Sequence, residues 1–152
     1  MKKNIKAIGI VLLTLLLLGN CQKEKEVQKN NREIHIEFII WANEKEDTLH
    51  LNLDQPKSVI EIMNQLKEEK KIAFDVQNYN DLSLVTSINN FKNEKLGKNK
   101  KNWIYSVNGK LVPISVNQYM IKESSKIKWC YIEWENRTQC GEEINNLDEK
   151  KK

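Results

Sequence analysis

Residues 102–134 hold three of the four tryptophans and three of the four tyrosines of this 152-residue chain. They are Trp103, Tyr105, Tyr119, Trp129, Tyr131 and Trp134. Aromatic rings supply large apolar area at small entropy cost, so a group of them on strands suits either a ligand platform or a core. Strand-like alternation sets Trp103 with Tyr105 on one face, and Ile127, Trp129 and Tyr131 on another, with Lys128, Cys130 and Ile132 opposite. Trp129 and Tyr131 fit a core best. For Trp103 and Tyr105, platform and core both stay open. Trp41 and Trp134 stand at strand ends and are expected to be half exposed.

Other chemistry is sparse. His35 and His50 are the only histidines; both fall on the outward face of a hairpin and read as solvated surface rather than metal or haem ligands. No Ser-His-Asp or Cys-His arrangement and no glycine-rich phosphate loop is present. Glu68 and Glu69 read as solubility at a helix end. No catalytic constellation emerges, and the chain is not expected to be an enzyme. Cys130 and Cys140 lie close enough in sequence to form a disulfide in an oxidising compartment, and without a nearby histidine they make a poor metal site. The lysines within residues 92–101 read as a solvated loop. Asn136-Arg137-Thr138 matches a glycosylation sequon without meaning in a bacterial chain.

The N-terminus looks like targeting. Lys2, Lys3 and Lys6 precede an apolar run over residues 7–18, too short to span a bilayer comfortably and of signal-peptide length. Leu18-Gly19-Asn20-Cys21 resembles the lipobox of bacterial lipoproteins, which implies cleavage before Cys21 and its lipidation. The expected plan is a signal peptide at 1–20, a charged tether at 21–31, one folded domain at 32–140 and a charged tail at 141–152. The protein would then sit in the cell envelope, periplasmic or surface-exposed, lipid-anchored to the membrane. Losing three lysines takes 25 basic residues to 22 against 21 acidic ones, a net charge of about +1 in place of +4, which gives no support to nucleic-acid binding.

Within the domain, Ile34, Ile36, Phe38 and Ile40 alternate with Glu33, His35, Glu37 and Ile39, the pattern of a half-buried strand. Leu49, Leu51 and Leu53 repeat it. The two segments predict a hairpin across residues 42–47, with Ile40 opposite Leu49 and Phe38 opposite Leu51. The period then changes. Ser58 and Glu61 form a capping box, and Val59, Ile62, Met63 and Leu66 make the apolar stripe of a helix. Strands are expected over 72–79 and 82–91 around Asn80-Asp81, and over 103–107 and 110–112 around Asn108-Gly109, a type I′ turn signal. A last strand spans 126–134. The fold class is α+β, a β-grasp-like mixed and antiparallel sheet with one helix packed across it.

At this level of detail residues 48–131 resemble a known family. The carriers of the resemblance are Leu84-Val-Thr-Ser-Ile-Asn-Asn90, Trp103-Ile104-Tyr105, Asn108-Gly109, Val116 with Tyr119, and Lys126-Ile-Lys-Trp129. In this order they resemble the C-terminal β-domain of transcobalamin and intrinsic factor. The resemblance implies a non-enzymatic small-ligand module with cobalamin or another corrinoid as ligand. Contacts would come from Trp103, Ile104 and Tyr105, and from the loop carrying Asp81 and Ser83. Two departures stand out: Asn80-Asp81-Leu82 replaces an aromatic and a glycine, and no helical barrel is encoded to close the other side of a site. The alternative is a protein-interaction or adhesion module of the cell envelope, binding an envelope protein through an exposed sheet edge.

Overall fold

The computed structural model describes residues 33–95 and 97–143. The expected signal peptide, the lipidated Cys21, the tether and the tail beyond residue 143 lie outside the described residues.

The first two segments form the expected hairpin of β1 (Ile34–Ala42) and β2 (Lys45–Leu53). Its register differs from the expected one by two residues: Phe38 faces Leu49 and Ile36 faces Leu51, while Ile40 faces Asp47. The cause is the turn. Asn43 and Glu44 both take positive φ, 48° and 63°, so the chain reverses in two residues and the strands extend into the stretch expected as loop. Because the shift is even, the apolar side chains keep their face.

Pro56 is followed by a two-residue strand, β3 (Lys57–Ser58), and by helix α1 (Val59–Glu68). Ser58 and Glu61 close the capping box: the Ser58 N–H donates to Glu61 Oε2 at 2.7 Å and Ser58 Oγ lies 2.6 Å from the same oxygen. Those bonds hold the Glu61 carboxyl below the usual carboxylate range. The helix buries Val59, Ile62, Met63 and Leu66. Its Val59 and Ile60 amides, orphaned at a helix start, donate to the carbonyls of Tyr119 and Val116.

Next come β4 (Phe74–Tyr79), β5 (Leu82–Ile88) and β6 (Phe91–Lys92), then β7 (Lys101–Val107), β8 (Lys110–Leu111), β9 (Met120–Ile121) and β10 (Ser125–Glu133). Among the described residues these make three sheets. Five strands order as β2-β1-β10-β7-β8, β3 pairs with β9, and β4-β5-β6 form an antiparallel sheet. The five-stranded sheet is mixed, because β1 and β10 run parallel at its centre while their outer neighbours are antiparallel. One apolar cluster joins the inward residues of β1, β2, β7 and β10 to the helix stripe and to Phe74, Val85 and Ile88.

The outer face of the large sheet is also covered, which the alternation of β1 did not lead one to expect. Ile39, expected outward, is buried. A second cluster of Cys130, Ile132 and Cys140 packs with Trp41, Ile104 and Leu111. It lies under a 3₁₀ segment (Trp134–Gln139) that follows β10. Cys130 and Cys140 are joined as a disulfide, Cα atoms 5.9 Å apart. The folded unit also runs past Cys140: Glu142 donates to the Gly109 carbonyl at 2.7 Å and accepts from the Leu111 N–H at 2.8 Å. Residues 141–143 therefore belong to the fold, not to a tail.

Candidate functional site

The aromatic group of the sequence is folded into a stack. Tyr105 lies against Trp129 with ring centroids 4.9 Å apart, and Trp103 packs on Tyr131 at 5.2 Å and edge-on to Trp129 at 6.4 Å. The register explains this, since Trp103 faces Tyr131 and Tyr105 faces Trp129 across β7 and β10. All four rings are buried. Three of them satisfy their polar atoms on backbone: Trp103 Nε1 donates to the Phe91 carbonyl at 2.8 Å, Tyr105 Oη to Ile114 at 2.8 Å and Tyr131 Oη to Lys92 at 2.6 Å. Burial pushes both tyrosine hydroxyls up from the ordinary value. Trp129 Nε1 has no partner among the described residues.

Core and site are not exclusive here. Trp103, Tyr105 and Trp129 also line a groove of about 820 Å³, within the ~300–1,000 Å³ typical of small-molecule pockets. Buried rings supply its floor, and the rim is apolar and open. Tyr79, Leu82 and Leu84 come from β4 and β5, Ile114 from the loop after β8, and Trp134 from the 3₁₀ segment. These five are 46–61% exposed. So many large apolar side chains left uncovered around one concavity are the mark of a binding surface.

Polar groups hold the groove at its sides. The Asn93 side chain takes the Trp103 N–H on Oδ1 at 2.8 Å and gives Nδ2 to the Val85 carbonyl at 2.9 Å. It thereby ties β5 to β7. Ser115 Oγ accepts the Ser83 N–H at 2.8 Å, and Asn117 Nδ2 donates to the Asp81 carbonyl at 2.8 Å. These bonds fix the loop after β8 to the turn between β4 and β5.

Of the residues expected to contact a ligand, Trp103, Ile104, Tyr105 and Ser83 line this groove. Trp103 and Tyr105 meet it from the core side, so their rings are floor and not a free platform. Ile104 points to the opposite sheet face and packs in the disulfide cluster. Asp81 is exposed and engages through its carbonyl. Of the rim, sequence reasoning placed Leu82 only within the expected contact loop and Trp134 only as a half-exposed strand end, and it assigned no contact to Leu84 or Ile114. The available signal was apolar residues at outward positions of a strand and directly after Pro113.

The histidines do not converge. His35 Nδ1 lies 2.7 Å from Asn52 Oδ1, and His50 faces Glu37 across the hairpin. Among the described residues no three His, Cys, Asp or Glu side chains gather in a group able to hold a metal ion.

Haptocorrin in complex with Cbi matches over 67% of this chain with a TM-score of 0.56 and 11% identity. The chain spans only 26% of the haptocorrin's length. A candidate metal binding protein from Ruminococcus gnavus matches over 66% of this chain and 97% of its own, with a TM-score of 0.51 and 16% identity. At such identities the likeness is one of fold, and it gives the sequence resemblance to transcobalamin a structural counterpart. None of the curated proteins matches the sequence. A family model does, over residues 57–133, from β3 through β10. The chain belongs to the family described as a domain of unknown function, DUF4430.

Proposed function

We propose that this protein is a non-enzymatic small-ligand binding module whose ligand occupies the groove between β5, β7 and the loop after β8. The observation that carries the reading is the groove itself: about 820 Å³, floored by packed rings and rimmed by exposed apolar side chains. A rigid floor with a few fixed polar groups at the sides is the usual form of a small-molecule site. The corrinoid class is the leading candidate, because the fold is shared with a haptocorrin that holds Cbi. The Trp103-Ile104-Tyr105 strand of the transcobalamin-like pattern also lines the groove. The mixed sheet with β1 and β10 parallel at its centre supports the β-grasp reading of the fold.

A protein-interaction role through an open sheet edge has less to support it. The outer strand β2 carries Lys45, Glu46 and Asp47 in exposed positions, and charges on an edge discourage strand addition. In our reading the signal peptide and a lipidated Cys21 hold the module at a membrane of the cell envelope. A Cys21→Ser change then releases the protein into the soluble fraction.

The test is a titration of the full chain with cyanocobalamin, followed by tryptophan fluorescence. Saturable quenching is the expected result. Its absence up to roughly tens of micromolar, a weak-binding range, would sink the corrinoid reading.

A further inference from the structure

One wall of the groove is formed by Trp134, Arg137 and Glu143. All three lie just beyond the residues that the family model matches. We infer that Trp134 is a stacking plate, positioned by Arg137 and the Cys130–Cys140 disulfide, that selects a flat, uncharged ring system as the ligand. This inference rests on the reading of the groove as a small-molecule site and adds to it what the ligand must be.

Trp134 is the most exposed large hydrophobic residue of the described chain, at 61%. An indole left in water without support would sample several rotamers. Here the Arg137 guanidinium stands over the ring, 4.7 Å from its centroid, a cation–π contact that covers one side. Arg137 is itself tied down, with Nη1 donating to the Trp134 carbonyl at 3.1 Å and Nη2 paired with Glu143 at 2.5 Å. Glu143 in turn follows the backbone pair made by Glu142 with Gly109 and Leu111.

The root of the wall is fixed from below. Cys140 is covalently joined to Cys130 in the middle of β10, and its carbonyl accepts the buried Ser106 hydroxyl at 2.7 Å. Gly141 runs so close to the β7–β8 turn that an added Cβ would stand 2.8 Å from the Gly109 oxygen. The segment is therefore seated on the sheet at three successive residues. Its indole is preorganised, which is what makes an aromatic contact selective.

Charge narrows the ligand further. Among the described residues, the only cation and anion lining the groove, Arg137 and Glu143, neutralise one another. A charged group entering the apolar groove would lose its hydration without gaining a partner. Flat and uncharged over its buried part is what the wall admits.

The experiment compares the full-length wild type with Trp134→Ala and Trp134→Phe against two probes: cyanocobalamin by equilibrium dialysis, and Nile red, a flat neutral dye, by fluorescence. Trp134→Ala is expected to weaken wild-type binding by about tenfold or more, the scale of losing an aromatic anchor. Trp134→Phe is expected to keep most of it. Circular dichroism should be unchanged, since the side chain is exposed. Wild-type binding of Nile red but not of cyanocobalamin, with loss in Trp134→Ala, removes the corrinoid reading and upholds the plate. Equal binding of either probe by wild type and Trp134→Ala overturns the plate, as does failure of the wild type to bind either.

Discussion

Tyr105 lies nearly flat on Trp129, their ring planes 25° apart, while its hydroxyl reaches across to the Ile114 carbonyl. One side chain thus fixes the groove floor and also pins the loop that forms a rim. Floor and rim are mechanically one unit.

Tyr105→Phe keeps the stack and removes the pin. At neutral pH it is expected to cost about 1 kcal/mol, a typical net hydrogen bond. The pH dependence carries the sharper signal. Burial raises the folded-state pKa of Tyr105, so its contribution is complete below the ordinary tyrosine value and is lost as pH rises above it. Chemical denaturation from pH 7 to 11 should show the wild-type advantage shrinking at the alkaline end. A constant difference would argue that the hydroxyl is not buried in solution.

Trp103 and Trp129 share one cluster but differ in their polar atoms. Trp103 Nε1 has a partner in Phe91 and Trp129 Nε1 has none among the described residues. Replacing each by Phe removes similar volume, yet only Trp103→Phe breaks a bond and strands a carbonyl. Trp103→Phe should therefore be the more destabilising of the two by about 1 kcal/mol, readable from urea midpoints.

Ser58→Ala removes the helix cap and is expected to cost about 1 kcal/mol. Glu61 is held low by its bonds to Ser58. Its part of the capping energy is present above the ordinary glutamate value and is lost as pH falls through the lowered one. Thermal melts of wild type and Glu61→Gln should accordingly converge on acidification.

The disulfide closes a loop of sequence separation 10, for which chain-entropy reasoning gives about 2–4 kcal/mol. Because it also anchors the second cluster, a Cys130→Ala, Cys140→Ala protein should expose Trp41 and Ile104. Faster iodide quenching of tryptophan fluorescence would report it.

Gly141→Ala tests the close approach to the β7–β8 turn. With the added methyl group 2.8 Å from both the Gly109 oxygen and Ser106 Cβ, overpacking of about 1–3 kcal/mol is expected. Hydrogen exchange at the Leu111 and Glu142 amides should speed up; unchanged protection would show that the approach relaxes without cost.

Much of this was legible in the sequence because local rules and burial agreed. The helix shows its cap and stripe in plain form, and the alternation of β1 and β10 puts Ile34, Ile36, Phe38, Ile40, Ile127, Trp129 and Tyr131 inward as the structure does. For Trp103 and Tyr105 of β7, alternation gave a shared face and left core or platform open. Asn108-Gly109 marks its turn by type. Asn43-Glu44 does not, since a glutamate at positive φ carries no turn signal, and the hairpin register slipped by two for that reason. Ile39 is buried although it sits on the outward side of the β1 alternation; the second cluster on that side, which takes in Trp41, is completed by Cys140, about a hundred residues later in the chain. Groove rims are harder still. Leu82, Leu84 and Ile114 look like ordinary strand and loop residues until the fold gathers them around one concavity.

The parallel pairing of β1 with β10 has a consequence for how the chain becomes a protein. The His35 amide that reaches Ser124 joins positions 89 residues apart, and the seam at the middle of the large sheet runs alongside. A nascent chain can close its first hairpin early, but the midline is sealed only when the last strand arrives, a topology that folds slowly. Until then the inner edge of β1 stays open. A C-terminal truncation into β10 would remove the central seam of the sheet, not a strand from its margin.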